Sequence, residues 1–286
     1  MSNDPLVSIL FLSYQQENFI IEAIDSVLHQ NYKNVELLIS DDGSTDRTRE
    51  LLDKVTVNCI QDINIKVVHS NKNLGLVGNF NKLCSIAKGD YFCPAAGDDI
   101  FLADRITKAV NVFRENQDVA IVGFFDDVCD KNGNIFRNRK SRSPLSYSLK
   151  EYLKNKTKHP SGASRLFKRE LYDRFGPIVV DCKTEDTPYL MRGLYLGRVY
   201  ILNSPGLIHR SHNDALSHQK NINKMPLLSI LAQYLLDLES AKKDNLIDEE
   251  HFKLAFLGVV SKIQKRVNLR FESNILDKIK RIVLSN

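Results

Sequence analysis

The sequence predicts a doubly wound α/β domain whose mostly parallel sheet is flanked by helices. A continuous apolar run at 6–12, rich in branched residues, and the segment VELLIS at 35–40 are typical of strands that are buried on both faces. Apolar residues at helical spacing follow the first run, over 19–28. Polar clusters follow the strands directly, and ligands of such sheets bind at the carboxyl ends of the strands. The pattern therefore predicts a ligand site where these clusters meet.

Further elements alternate in the same way along the next part of the chain. Helices are expected over 46–54, up to about Ala87 and over 102–116, and strands over 65–69, 89–95 and 120–130. The polar, basic segment 137–160, which contains Pro144 and Pro160, is expected to be a loop.

The C-terminal part of the sequence changes from mixed to helical. A short strand is followed by a helix that ends at Gly176 and Pro177, a helix over 184–197 with Thr184 as its N-cap, and a strand over 198–203. Beyond about 224 the apolar spacing is helical throughout. We therefore expect an α/β domain over 1–220 and a helical extension over 221–286.

Composition and charge narrow the classes of partner. Of the 286 residues, 43% are hydrophobic and 26% are charged, which is ordinary for a globular protein. A net charge of +5 admits anionic partners such as nucleotides or phospholipid headgroups. Nucleic acid is not predicted as a partner, because no dense stripe of Lys and Arg is interleaved with aromatic residues.

Cysteine usage and the lengths of apolar runs bear on the compartment. The five cysteines are odd in number, scattered and without a C-x-x-C pair, so neither a disulfide framework nor a zinc site is predicted. The N-terminus lacks the basic region of a signal peptide, and no apolar stretch approaches the ~20 residues that span a bilayer. We therefore expect a cytoplasmic protein.

Three acidic pairs are the candidate carriers of chemistry. Asp41–Asp42 and Asp98–Asp99 follow predicted strands, and Glu185–Asp186 opens a predicted helix. Carboxylates at strand ends can bind a divalent cation or a ribose, and one beside a reacting hydroxyl can accept its proton. Each pair also has a structural alternative, because Asp favours helix N-caps and acidic residues stabilise the first turn of a helix.

The order and spacing of these segments resemble the inverting family 2 glycosyltransferases, which have a GT-A fold. The resemblance covers about residues 5–217. The matching pieces are VSILFLSYQQENFIIEAIDSVLHQNYKNVELLISDDGSTD at 7–46, NKNLG at 71–75, GDYFCPAAGDDIFLADRI at 89–106 and TEDTPYLM at 184–191. The resemblance implies transfer of a sugar from a nucleotide-sugar donor, of the UDP-sugar type, to an acceptor hydroxyl. Residues 1–110 would then bind the donor, and 111–220 would face the acceptor.

The resemblance also implies which residues contact the nucleotide. Tyr14 and Asp42, with Asp41 nearby, should contact a uracil-type base, and Asp98 should lie near the ribose or the diphosphate. Asp99 should ligate the divalent cation, Mn²⁺ or Mg²⁺.

The groups that act on the transferred sugar are implied in the same way. Asp186 should be the general base, with Glu185 beside it. His212 should contact the metal or the diphosphate, and His209 and His218 compete for that position.

One position departs from the family pattern: many members have an acidic residue two before Asp98, where this chain has Ala96. The division of ribose and metal roles between Asp98 and Asp99 is therefore open.

The expected biological setting is the synthesis of a surface polysaccharide, such as a bacterial O-antigen or capsule, on a glycan or lipid-linked glycan acceptor. A sugar-nucleotide-binding module without catalysis is one alternative, although the chain has both GDD and TED in order. A nucleotidyltransferase is another, although SYQQEN at 13–18 is not a Gly-rich, basic phosphate loop.

The helical extension has two interpretations. Basic and apolar residues alternate over 224–286. We expect these helices to pack on the catalytic domain. The alternative is a peripheral contact with the inner face of an anionic membrane.

Overall fold

A computed structural model describes residues 4–58, 63–138, 143–155, 159–179, 181–212 and 227–267. The strands are β1 (Val7–Ser13), β2 (Val35–Asp41), β3 (Asn64–His69), β4 (Tyr91–Ala96), β5 (Ile100–Phe101), β6 (Val119–Gly123), β7 (Asp127–Cys129), β8 (Ile135–Arg137), β9 (Leu145–Tyr147), β10 (Leu166–Lys168), β11 (Arg198–Ile201) and β12 (Leu207–Arg210). The helices are α1 (Ile20–Leu28), α2 (Thr48–Asn58), α3 (Gly75–Ile86), α4 (Arg105–Glu115), α5 (Leu149–Asn155), α6 (Glu170–Phe175), α7 (Asp186–Leu196), α8 (Leu227–Lys243) and α9 (Glu249–Val267).

The larger sheet has eight strands in the order β3-β2-β1-β4-β10-β6-β11-β9. Strands β1 to β4 pair in parallel, β10 runs antiparallel to β4 and β6, and β11 pairs in parallel with β6. This mixed, mostly parallel sheet confirms the predicted fold class. Because β1 lies between β2 and β4, the carboxyl ends of these three strands are neighbours, as the positions of the polar clusters predict.

Helices cover both faces of this sheet, which explains the continuous apolar runs. Leu10 of β1 belongs to the core on the side of Phe80 of α3. Its neighbour Ile9 belongs to the core on the other side, with Ile24 of α1 and Ile106 of α4. Successive residues of a strand point to opposite faces, so both sets must be apolar.

A second sheet, of four strands in the order β5-β12-β7-β8, was not predicted. The predicted strand over 120–130 is wrong as a single element, because the chain leaves the larger sheet after Gly123 and re-forms as β7 in the second sheet. Phe124 at the break is buried. Apolar spacing alone therefore did not reveal the break.

Two further predictions, one about a loop and one about a helix cap, are wrong in detail. The segment 137–160 is not a loop throughout, since it contains β9 and α5, which are held by the buried Tyr147, Leu149 and Tyr152. The predicted cap Thr184 lies one residue too early, because Glu185 occupies the N-cap position of α7. The stop at Gly176 is confirmed: Gly176 ends α6 with φ +69, a left-handed conformation that suits glycine.

The helical extension packs against α7. Ile230, Tyr234 and Leu238 of α8 share one core cluster with Tyr189 and Leu194 of α7. Within the described residues, none of the helices is both long and apolar enough to cross a membrane. The predicted boundary near residue 220 and the basic segment 268–286 lie outside the described residues.

Candidate active site

The loop after β1 is joined to the turn after β2 by hydrogen bonds. The amide of Gln15 donates to Ser44 Oγ (3.0 Å) and its side-chain Nε2 donates to Thr45 Oγ1 (2.8 Å). Gln15 has φ 55, an unusual conformation for a residue other than glycine, and such conformations are concentrated at functional sites. Asp46 accepts the amide of Thr48 at the start of α2, which is a structural role.

The acidic pair of this turn is buried. Asp42 accepts the amides of Leu74 (2.7 Å) and Gly75 (2.9 Å) at the start of α3. Asp41 accepts the amide of Ser44 (3.3 Å). Burial raises the pKa of the Asp42 carboxyl above its ordinary value, and the two amide donors oppose that shift. Tyr14, by contrast, is 46% exposed at the end of β1, which leaves its ring accessible to a ligand.

The second acidic pair, Asp98–Asp99, follows β4 where this loop packs closely against the end of β1 and the loop after it. The amide of Gly97 donates to Leu12 O (3.0 Å), and a β-carbon at Gly97 would overlap the side chain of Gln16. Asp98 and Asp99 are not the caps of the following helix, because α4 begins only at Arg105 and its N-cap position is Asp104. That structural alternative is therefore wrong.

The structure pairs each carboxylate of GDD with a different histidine. His212 Nε2 lies 2.9 Å from Asp98 Oδ2, and His209 Nδ1 lies 3.0 Å from Asp99 Oδ1. Asp99 is almost wholly buried, and its Oδ1 also accepts the amide of Arg210 (3.1 Å). The hydrogen bond to Asp99 raises the pKa of His209 to about 9. Asp98 and His212 thus form one pair, and Asp99 and His209 another.

Arg210 is hydrogen-bonded to both aspartates of these pairs. The sequence did not indicate this residue. Its Nε donates to Asp98 O (3.1 Å), and its Nη2 donates to Glu22 Oε2 (2.6 Å). The Phe19 ring lies between this guanidinium (4.9 Å) and the His212 ring (5.3 Å between centroids). The sequence offers only an arginine two residues before the histidine, which does not by itself indicate such contacts.

The third acidic pair opens α7. Glu185 stands at the N-cap position and makes no capping hydrogen bond with its side chain. Its Oε2 is buried and has no hydrogen-bond partner among the described residues. Burial, reinforced by the neighbouring Asp186 carboxylate, raises the pKa of Glu185 well above its ordinary value. A protonated Glu185 beside Asp186 would leave the pair with a single negative charge.

Asp126 is a further acidic residue that the sequence argument did not single out. It is buried just after β6, and its carboxylate accepts the hydroxyl of Ser161. It also lies close enough to Asp99 and His209 for their charges to interact. Ser161 adjoins Gly162, which packs against the Asp186 carboxylate. Contacts therefore join Asp126 to the TED segment, and charge interaction relates it to the GDD segment.

The residues at Asp98 suit a divalent cation that is shared with a bound diphosphate. Among the described residues, no group of three or more His, Cys, Asp or Glu side chains forms a closed metal cage. The Asp98–His212 pair offers one carboxylate and one imidazole. Mg²⁺ in nucleotide sites commonly has one or two carboxylates and completes its shell with phosphate oxygens and water, so the donor set fits such an ion.

The fold and the order of these sites define a family. The model of glycosyl transferase family 2 matches residues 8–176, and the chain belongs to this family. That region includes the first two acidic pairs. The TED segment lies beyond it.

Individual relatives are similar over shorter stretches. An uncharacterized glycosyltransferase of Haemophilus influenzae is 32% identical over 149 residues, which is 48% of this chain and 45% of that protein. The glycosyltransferase GlyG of Streptococcus pneumoniae serotype 4 is 28% identical over 131 residues, which is 46% of this chain and 42% of that protein. The chain thus spans about half the length of the curated relatives it matches.

Solved structures confirm the fold. The crystal structure of S. aureus TarS 1-349 with UDP-GlcNAc superposes with a TM-score of 0.69 at 15% identity. The match covers 91% of this chain and 73% of that chain. The same TarS fragment without that ligand gives a TM-score of 0.68. The expected GT-A fold is therefore confirmed.

Proposed function

We propose that this protein transfers a sugar from a nucleotide-sugar donor to an acceptor hydroxyl, with inversion at the anomeric carbon. The observation that carries the proposal is the placement of Asp126, which is hydrogen-bonded to Ser161 beside the Gly162 that packs against Asp186, and whose charge interacts with those of Asp99 and His209. This placement relates the GDD segment, which is suited to a diphosphate-bound cation, to a carboxylate suited to a proton acceptor. Membership of glycosyl transferase family 2 supports the same activity.

Three groups of side chains have separate roles in the proposed reaction. Asp98 and His212 hold a Mn²⁺ or Mg²⁺ ion, which would neutralise charge on the diphosphate leaving group. Asp186 accepts the proton of the attacking acceptor hydroxyl. The pKa of the buried Glu185 is raised, which favours its neutral form and reduces negative charge beside that carboxylate. With Asp186 as the base and no dedicated nucleophile proposed among the described residues, the acceptor attacks opposite the leaving group in a single displacement, and inversion follows.

This assignment moves the cation ligand from Asp99 to Asp98 and gives Asp99 a structural role. The sequence argument gave the cation to Asp99 and the ribose or diphosphate to Asp98. The geometry favours Asp98 as the cation ligand, because it shares its position with His212, whereas Asp99 is buried against His209 and the Arg210 amide. His209, which competed for the role of His212, is then a partner of Asp99. The other competitor, His218, lies outside the described residues.

The donor is proposed to carry a uridine diphosphate. Tyr14 provides an exposed ring for stacking at the end of β1, and Asp42, with Asp41 behind it, provides carboxylate oxygens at the end of β2. The two amide hydrogen bonds of Asp42 fix the direction of its carboxylate. TarS, which has the same fold, was crystallised with UDP-GlcNAc, and this supports the UDP proposal.

The acceptor is proposed to be a glycan or lipid-linked glycan in the synthesis of a surface polysaccharide, at the cytoplasmic side of the membrane where nucleotide sugars are made. Peripheral membrane contact through 224–286 remains part of this proposal.

A donor screen tests the proposed function. The purified protein would be heated with each of a panel of nucleotide sugars, with and without Mn²⁺, and donor hydrolysis would be followed for each mixture. We expect one UDP-sugar to raise the melting temperature and to be hydrolysed slowly, with both effects dependent on the cation. Stabilisation by a dinucleotide or a nucleoside triphosphate, with no response to any nucleotide sugar, would contradict the proposal.

A further inference from the structure

The turn at 160–165 encloses the carboxylate of Asp186. A β-carbon built at Gly162 would overlap Asp186 Oδ1 and would lie 3.0 Å from Oδ2. The φ of Gly162 is outside the left-handed region, so backbone strain does not explain a glycine at this position. What this position requires is the absence of a side chain, because the carboxylate occupies the space that a methyl group would fill.

Buried arginines hold this turn from two sides. Arg165 donates from Nε (3.1 Å) and Nη2 (2.6 Å) to Pro160 O, which closes the turn on itself. The same guanidinium donates through Nη1 to the main-chain oxygen of Asp186, so the turn is tied to the first residue of α7. Arg105 donates from Nη2 to Ala163 O (2.5 Å). Both arginines are almost wholly buried, and charged donors in such sites make strong hydrogen bonds.

The turn is also hydrogen-bonded to Asp126, the buried carboxylate that follows β6. Ser161 donates its hydroxyl to the buried Asp126, and Ser161 and Ser164 are hydrogen-bonded to each other (3.2 Å). A shift of the turn would therefore move Asp186 and Asp126 together. The hydrogen bonds that tie the turn to its surroundings lead to Asp126, Arg105 and Asp186, and we expect donor binding at the Asp98–His212 pair to need none of them.

We propose that the turn at 160–165 is a positioning element for the general base, and that Gly162 is its determining residue. This inference rests on the proposed role of Asp186. Gly162 lets the Asp186 carboxylate occupy the space beside the turn while Arg165 fixes the Asp186 main chain. A side chain at 162 would displace the carboxylate from the acceptor hydroxyl and leave the donor site as it is.

Two variants and a matched control test the inference. Gly162→Ala adds one methyl group against Asp186, and Ser161→Ala removes the link to Asp126 without adding volume. The control, Gly193→Ala, adds a methyl group in the middle of α7, where it would meet the flexible end of Ile121 and no acidic residue. For each protein we would measure the melting temperature, the Kd of UDP with Mn²⁺, and kcat and KM for transfer.

We expect Gly162→Ala to lower kcat on the order of 100-fold, as misplacement of a reacting group by about 1 Å does, with the Kd of UDP within about twofold of wild type. Ser161→Ala should lower kcat roughly tenfold, and it decides the matter if Gly162→Ala does not fold. Gly193→Ala should lower the melting temperature and keep kcat within about threefold of wild type.

A kcat within threefold of wild type for folded Gly162→Ala, or for Ser161→Ala if the first variant does not fold, overturns the inference. An equal loss of kcat in Gly193→Ala also overturns it, because the effect would then be general damage to α7. Failure of the proposed function has a different signature. In that case Asp186→Asn would retain turnover whatever the glycine variants do.

Discussion

His212 Nε2 lies 2.9 Å from Asp98 Oδ2, whereas the adjacent carboxylate of Asp99 is hydrogen-bonded to His209 and to the Arg210 amide. The two residues of one sequence motif therefore have different partners. One pair can present a carboxylate and an imidazole to a cation. The other ties the end of β4 to β12.

This difference predicts opposite results for two conservative variants. Asp98→Asn should lower the metal-dependent affinity for UDP by about tenfold or more, because a cation ligand is lost. Asp99→Asn should keep that affinity and lower the stability of the fold, since it disturbs the contacts with His209 and Arg210. Calorimetric titration of UDP with and without Mn²⁺ measures the first effect, and urea unfolding measures the second. The reverse pattern for the two aspartates would restore Asp99 as the ligand.

From the raised pKa of Glu185 we predict how the free energy of unfolding changes with pH. Because burial raises its pKa, the folded protein keeps this proton to higher pH than the unfolded chain does. Wild-type stability should therefore fall as pH rises from the ordinary carboxyl range towards the raised pKa, by at most about 1.4 kcal/mol per pH unit from this group. Glu185→Gln cannot ionise, so its stability relative to wild type should increase over the same range.

Urea unfolding of both proteins at a series of pH values measures this difference. Glu50→Gln is the control, because hydrogen bonds from Lys54 and Arg47 lower the pKa of Glu50. Its stability relative to wild type should not increase with pH. A constant difference between Glu185→Gln and wild type across the range would show that Glu185 is ionised in the folded protein.

A buried ion pair joins the C-terminal extension to the helix that carries Asp186. Arg192 of α7 binds both oxygens of Asp237 on α8, at 2.8 and 2.9 Å, and both side chains are almost wholly buried. Asp237→Ala should destabilise the protein by about 3–5 kcal/mol, because the guanidinium is left buried without its charge partner. Urea unfolding measures this loss.

An exposed ion pair serves as the control for that variant. Glu170→Ala removes the partner of Arg174 on the surface of α6, and the expected loss is about 1 kcal/mol or less. Equal, small losses for the two variants would mean that α8 contributes little to the fold around α7.

The product of the reaction should have the opposite anomeric configuration to the donor. A single displacement with Asp186 as the proposed base would give a β-linked product from an α-linked UDP-sugar. The coupling constant of the product's anomeric hydrogen distinguishes the two configurations for sugars whose second ring hydrogen is axial. An α-linked product from an α-linked donor would rule out the single displacement.

The sequence predicts the strands and the sites at their ends because those features are local. The runs at 6–12 and 35–40 are mostly apolar on both faces, and the polar residues that follow them must lie at one edge of a parallel sheet. Pairings between distant loops are not local. Which of His209 and His212 faces which aspartate depends on the register of β12 against β7 and β5, and the sequence does not show that register.

Gly162 illustrates the same limit at a single position. Within HPSGAS a glycine is typical of any turn, and its neighbours in sequence do not indicate what packs against it. The constraint comes from Asp186, on an element that follows a strand and another helix. Likewise, Asp126 lies in a stretch that has the composition of a strand, and only the break after Gly123 brings it into the site.

The central claim is that Asp186 accepts the proton of the acceptor while other residues bind the donor. Its most direct test is to measure kcat for transfer and the Kd of UDP with Mn²⁺ for Asp186→Asn beside wild type. The amide keeps the shape of the carboxylate but cannot take the proton. General base catalysis contributes about 10²–10⁴-fold, so kcat should fall by that order while Kd stays within about twofold. Turnover within about threefold of wild type would contradict the account.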